Sequence, residues 1–473
     1  MKMKLRYLIV FGLGLGLATT SCSEEDLEPT LAQSKSIETS INATGDLQAV
    51  LIGAYERLQE SSYYGRDKIV MGEIMSDNTS SNANSNRFVT EAQFSLTPEA
   101  GIAATLWTNW YQVIGSANIV IGAEGIDGDE ATINHLKGQA YAIRALAHFD
   151  LVTFYGQQNV SGGESALGVP YVTSFRDSEN LFPARNTVGE VKNLAYADLE
   201  MAASLMTAGL DDPAKEYIST NAVYAIEARI ANYFGDHDRA LTASKMVIDS
   251  GNYSVASEDA FLSTFSTDGG VNVIWEIANT ATDNPGINGL ANIYQVGAYG
   301  DVIALPNLAN IYDEDDIRGV SEYDPATAVA PSTVIGLHPD GAFRNVGKYP
   351  SFAPYEDNVP VIRYEEVVLI YAEALLATGG DDALDWLNMI PMNRGAESYD
   401  EASLDNILLE RRKELAFEGF RFHDLVRTGM GVDAVDPVLQ LHSGIPYGDF
   451  RLALPIPTSE VGVNANVVQN QGY

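Results

Sequence analysis

The stretch ERRKELAFEGFRFHDLVRTG, residues 410–429, decides how the chain is read. Glu410 and Glu414 alternate with Arg411 and Arg412 at spacings that permit ion pairs along a helix. Arg421 and Asp424 stand three apart on one face. The apolar pattern predicts a last long helix over 404–426, kinked or broken near Gly419, where the helix has no side chain to hold it. These charges are expected to pin the helix to its neighbours and not to touch ligand.

Upstream, helix-period segments alternate with loops. Residues 46–60, 104–121, 133–154 and 187–205 carry apolar side chains at helical spacing. Thr187 with Glu190 forms a capping-box pattern. Segments 221–233 and 238–250 form a pair around Gly235-Asp236-His237, and their small residues Ala228, Ala240 and Ala243 favour close packing. A second pair, 363–377 and 383–389, turns at Gly379-Gly380. The pairs resemble tetratricopeptide units, although no strict repeat is visible. Stretches 61–103, 156–186, 252–362 and 428–473 read as irregular, with one strand at 271–277. The fold class is therefore mainly α: helical hairpins with a large loop-rich insert and a few short strands.

The N-terminus carries a different signal. Lys2, Lys4 and Arg6 precede an apolar run at 7–18, and small residues 18–21 lead to Cys22, the chain's single cysteine. This is the layout of a secretory signal, and the run is too short to span a membrane. A lone thiol at the cleavage point is expected to become the acylated, palmitate-bearing N-terminus of a bacterial lipoprotein. Residues 1–21 are then the lipoprotein signal peptide and 22–42 a flexible tether, followed by regions 43–260 and 261–473.

The chain has 473 residues and a formal charge of −36, which repels nucleic acid and anionic lipid surfaces but not neutral sugars. The six histidines show no zinc spacing, one cysteine cannot build a thiolate site, and G-x-S-x-G and P-loop motifs are missing. Paired carboxylates are too common in so acidic a chain to mark a glycosidase. Asp313, Glu314, Asp315 and Asp316 lack the spacing of a calcium loop, so they read as a solvated acidic turn. His148 reads as a core histidine, and His423 beside Asp424 is not expected to form a dyad. No enzyme, cofactor or metal is expected.

The 410–429 stretch resembles the C-terminal helix motif of the SusD/RagB family, surface nutrient-binding lipoproteins of Bacteroidetes. Other segments agree in order: Ser76-Asp77-Asn78, Trp107 with Trp110 and Tyr111, Arg144-Ala145-Leu146, Asp316 with Arg318, Arg394-Gly395 and Pro455-Ile456-Pro457. The family usually has proline where Ala465 and Gln471 stand, a departure confined to the terminal tail. The acidic run Ser23–Asp26 after Cys22 resembles a surface-export signal of such lipoproteins.

The resemblance implies four tetratricopeptide-like hairpins under a loop-rich ligand face. It also implies a lipid-anchored position on the outer membrane, facing outside, and a SusC-like TonB-dependent transporter as partner. The implied function is capture and delivery of oligosaccharides without bond breaking; a peptide or other nutrient is the alternative cargo. A sugar site needs aromatic faces for C–H surfaces and planar polar groups for hydroxyls. The candidates are Tyr63, Tyr64, Arg66, Asn78, Asn86, Arg87 and Phe88 from the first loops, and Asn292, Tyr294 and Tyr299 from the insert. Trp107, Trp110 and Trp275 are expected in the core.

Overall fold

The computed structural model describes residues 41–295, 299–327 and 329–473. The signal segment, Cys22 and nearly all of the tether lie outside the described residues. The helices that build the scaffold are α1 (Thr44–Gln59), α2 (Asp67–Ile74), α3 (Gly101–Gly122), α4 (Glu130–Tyr155) and α5 (Val188–Leu205). They continue with α6 (Thr220–Phe234), α7 (His237–Asp249), α8 (Tyr364–Thr378), α9 (Ala383–Asn388), α10 (Leu404–Glu414) and α11 (Arg421–Arg427). Each packs on the next in a continuous succession: α1 on α3, α3 on α4, α4 on α5, α5 on α6, α6 on α7, α7 on α8, and α8 on α9 and α10. The architecture is the helical-hairpin scaffold that the apolar spacing predicts.

Local chemistry sets the helix ends. The Thr187 hydroxyl accepts from the Glu190 N–H, and the Glu190 carboxylate accepts from the Thr187 N–H, closing the capping box. Helix α6 stops at Gly235, whose φ of 72° lets its N–H reach the carbonyls of Ala231 and Asn232. Ala228, Ala240 and Ala243 are buried where α6 meets α7. Helix α2 falls within 61–103, which reads as irregular in the sequence. All eight of its residues are buried, so no polar face marks its period.

Seven short strands form two sheets: β1 (Thr79–Ser81), β2 (Val273–Ile277), β3 (Val302–Ala304), β4 (Val320–Glu322), β5 (Ile335–Leu337), β6 (Phe343–Asn345) and β7 (Val359–Arg363). The larger sheet has the order β1-β3-β6-β5-β4, and β2 pairs antiparallel with β7. One hydrophobic core runs from α1 to the C-terminal segment, with Trp110 and Trp275 fully enclosed and Trp107 nearly so.

The 404–426 region is two helices, broken between Glu414 and Arg421. Gly419 sits at φ 84° against Gly72 of α2. A Cβ on Gly72 would collide with the Gly419 carbonyl, and one on Gly419 would lie 2.8 Å from Ile69 Cα.

The charges pin this region mainly through partners outside their own helix, with Asp424–Arg427 an i,i+3 pair within α11. Glu414 receives Arg394 at 2.9 Å, Arg363 at 3.0 Å and Arg318 at 3.1 Å. Glu418 pairs with Arg363 and Lys348, and Glu410 with Arg318. Arg421 turns away from Asp424 and grips Asp77 at 2.7 Å, while Asp424 binds Arg411 and Arg427. The turn after α10 carries the carboxylates inward, where longer-range partners outcompete i,i+4 neighbours. Burial would raise the Glu414 pKa, yet Arg394, Arg363 and Arg318 outweigh it and hold the carboxyl well below the usual range. Burial opposes the same effect at Asp424, where Arg411 and Arg427 bring the value down to about 2.

The acidic turn at 313–316 is also not simply solvated. Asp316 is buried and makes a bidentate pair with Arg318. His148 is a core histidine, stacked on Tyr171 with its Nε2 accepting from the Val172 N–H. His423 packs edge-on against Phe154, apart from the Asp424 ion pairs.

Candidate ligand-binding face

Strand β1 ends where the first polar loop begins, and β3 starts where the insert loop ends. Their antiparallel pairing places Ser81 opposite Val302, so residues 82–88 meet residues 299–301. Asn82 donates to the Gly300 carbonyl at 2.7 Å through Nδ2 and to the Asp301 carbonyl at 2.9 Å through its N–H. The Ser85 hydroxyl donates to Asp301 Oδ2 at 2.7 Å, and the Ser81 hydroxyl donates to the Arg87 carbonyl at 2.8 Å. Arg344 on β6 donates to the Gly300 carbonyl at 2.6 Å. Three non-glycine residues of this loop, Ala83, Asn86 and Phe88, have φ of 59°, 65° and 55°. Such backbone persists only where surroundings fix it, and it concentrates at ligand sites.

The result is a cationic aromatic platform. The Arg87 guanidinium lies 3.7 Å from the Tyr299 ring centroid, donates to Ser85 Oγ at 3.0 Å and stands 3.8 Å from Asp301. Asn86 is exposed beside it, and Arg87 and Tyr299 are half-buried. Arg66 stands under the neighbouring edge, paired with Asp67 at 2.6 Å, donating to the Asn288 carbonyl at 3.3 Å and lying 5.7 Å from the Phe88 ring centroid. Phe88 is buried, with 6% of its surface exposed.

The remaining candidates lie inside the protein. Tyr63 and Tyr64 each donate a hydroxyl hydrogen bond of 2.9 Å to Asp150 Oδ2, and the Tyr63 ring stacks between Tyr64 and Trp110. Burial, then the Asp150 charge, pushes both hydroxyls well above the usual tyrosine value. Tyr294 is enclosed, with its hydroxyl on the Phe417 carbonyl. Asn78 bridges Glu73 and Arg412, and the Asn292 carbonyl accepts from the Gly300 N–H. These five side chains show no face to solvent. Four of them are spent on buried hydrogen bonds, because a residue that suits ligand hydrogen bonding equally suits buried hydrogen bonding, whereas Asn292 acts through its backbone carbonyl and its Nδ2 has no hydrogen-bond partner among the described residues.

Sequence reading missed Ser85, Asp301 and Arg344 as members of this face. Asp301 lies 216 positions from Ser85, and no local pattern announces the strand pair that joins them. Among the described residues, no group of three or more His, Cys, Asp or Glu is placed to hold a metal ion, and no helix is long and apolar enough to cross a membrane. Chemically, the platform offers a flat π surface, a guanidinium and amides, which suit a neutral polar ligand with an apolar face.

Known proteins give the arrangement a context. Residues 26–231 match the family described as "Starch-binding associating with outer membrane", and residues 310–473 match the SusD family. A SusD-like protein P2 from Formosa agariphila is 26% identical over 99% of this chain and 100% of its own. The starch-binding protein SusD of Bacteroides thetaiotaomicron is 30% identical over 28% of this chain and 24% of its own. A SusD superfamily protein from Bacteroides vulgatus superposes with a TM-score of 0.80 at 26% identity, covering 92% of this chain and 100% of that one. With both ends of the sequence matched and the helical scaffold shared, the chain belongs to the SusD/RagB family.

Proposed function

We propose that this protein is a carbohydrate-binding lipoprotein of the outer membrane that captures oligosaccharides and hands them to a SusC-like TonB-dependent transporter. The observation that carries the reading is the junction of loops 82–88 and 299–301, where Arg87 over Tyr299 forms a rigid platform beside exposed Asn86. Tyr299 supplies the stacking surface, and Asn86 and Arg87 supply planar donors and an acceptor for hydroxyls. The family's outer-membrane description and the starch-binding relative support the ligand class and the location. Binding and release suffice for this role, so it requires no catalytic group.

Acylation of Cys22 would tether the protein to the outer face of the membrane. Calorimetric titration of the wild type and of Tyr299→Ala with neutral glucan, xylan and mannan oligosaccharides tests the reading. Binding to at least one, weakened tenfold or more by the substitution, is expected. Binding of peptides with no binding of any glycan would overturn it.

A further inference from the structure

A second cavity, of about 550 Å³, runs along α3 and shares no lining residue with the loop face. Its volume lies in the range of small-molecule sites, roughly 300–1,000 Å³. Trp107, Tyr111 and Gly115 succeed one another along one side of the helix, a turn apart. The Trp107 and Tyr111 rings are 4.9 Å apart and tilted by 52°. The Tyr111 hydroxyl is fixed by donating to the Pro170 carbonyl at 2.8 Å, and Trp107 Nε1 points at Glu460 at 3.4 Å. The opposite wall is the half-buried ring of Phe175. Arg57 of α1 reaches over the mouth and donates to Gln112 Oε1 at 2.8 Å.

Gly115 is the informative residue. It lies well inside a 22-residue helix, where glycine is costly relative to alanine. Its backbone has no positive φ, and a Cβ there would meet only the Phe175 ring, at 3.8 and 3.9 Å, an ordinary contact. Backbone conformation and close approach therefore do not require glycine. A side chain larger than a methyl at this position would run into the Phe175 ring and fill this end of the cavity.

The lining combines the half-buried rings of Tyr111 and Phe175, with Trp107 almost enclosed beside Tyr111, with a guanidinium, an amide and a carboxylate. Arg57 is offset by Glu60 at 4.0 Å, Glu460 also lines the cavity, and the whole protein is strongly acidic, which disfavours an anionic ligand. We propose that this trough is a second binding site for a neutral oligosaccharide, an inference that rests on the carbohydrate-binding reading above. Two sites on one molecule would hold a long chain at two points, so polysaccharide is retained more strongly than a short oligomer.

The test uses malto-, cello-, laminari-, xylo- and manno-heptaose with the wild type, Gly115→Leu, Arg57→Ala, Tyr299→Ala and the Gly115→Leu/Tyr299→Ala double variant. Calorimetry gives stoichiometry, and tryptophan fluorescence follows Trp107. For a heptaose that binds, the expected stoichiometry is two in the wild type, one in Gly115→Leu and in Tyr299→Ala, and none in the double variant. Arg57→Ala, a change at an exposed side chain, keeps the fold and weakens trough binding at least fivefold. A single site abolished by Tyr299→Ala and untouched by Gly115→Leu and Arg57→Ala would overturn the trough and leave the loop face standing. A single site lost only in Gly115→Leu and Arg57→Ala would keep the trough and remove the loop face. No binding by any heptaose would overturn both.

Discussion

Replacing Glu414 by alanine isolates the energetics of the buried ionic cluster. Three guanidiniums converge on this carboxylate at 2.9–3.1 Å, and all the side chains involved are at most 1% exposed. Removing it takes one carboxylate partner from each of Arg318, Arg363 and Arg394 and strips Arg394 Nε of its acceptor, in a place water does not reach. Breaking one partner of such a pair costs about 3–5 kcal/mol. Unfolding entropy of roughly 2.1 cal/mol/K per residue over ~430 residues gives about 0.9 kcal/mol per degree near the melting point, so Glu414→Ala is expected to melt about 3–5 °C lower. Glu414→Gln keeps the shape and one acceptor oxygen and should lose about half as much. The assay is thermal denaturation by calorimetry at neutral pH, repeated with Glu414→Ala/Arg394→Ala. The double variant removes the guanidinium left short of acceptors and should recover part of the loss. A Glu414→Ala melt within about 1 °C of wild type would refute the claim that this cluster is isolated from solvent and held as one unit.

Gly72→Ala should destabilise by at least ~1–3 kcal/mol in urea titration, because the carbonyl it meets belongs to the Gly419 backbone; Gly101→Ala, at a position facing open space, is the matched control and should lose nothing. Asp424 falls to about 2 in the folded protein from an unfolded value near 4, so its contribution, roughly 2.5 kcal/mol, is complete above pH ~4 and lost as pH falls towards ~2. Acid titration of stability should therefore be flatter over that window in Asp424→Asn than in the wild type. Thr187→Ala should cost about 1 kcal/mol in the same urea assay through the lost cap of α5.

Signals contained within a few residues were readable from the sequence. Thr187 with Glu190 marked the start of α5, Gly235 and Gly379 marked hairpin turns, and Gly419 marked a break. Each is a local rule of backbone geometry or hydrogen bonding. Helix α2 was illegible because a helix buried on every side has no amphipathic period. Strands of three residues carry too little pattern to be found, yet the pairing of β1 with β3 builds the proposed ligand face. Tyr63, Tyr64 and Tyr294 were chosen by residue type, which does not distinguish a ring presented to a sugar from one whose hydroxyl is spent on Asp150 or a backbone carbonyl.

The ion pairs of the last helices have a consequence for how the protein is made. Asp77 waits 344 positions for Arg421, and Arg318, Arg363 and Arg394, which have Asp316 and Glu365 as nearby partners, gain Glu410, Glu414 and Glu418 only near the end of the chain. A chain stopped before residue 410 lacks α11 and the C-terminal part of α10, and it sets Arg318, Lys348, Arg363 and Arg394 against only Asp316 and Glu365. The final segment thus works as a check on completeness: a full-length product closes into a durable particle, and a truncated one stays open to proteases. Quality control is thus written into the order in which opposite charges are synthesised.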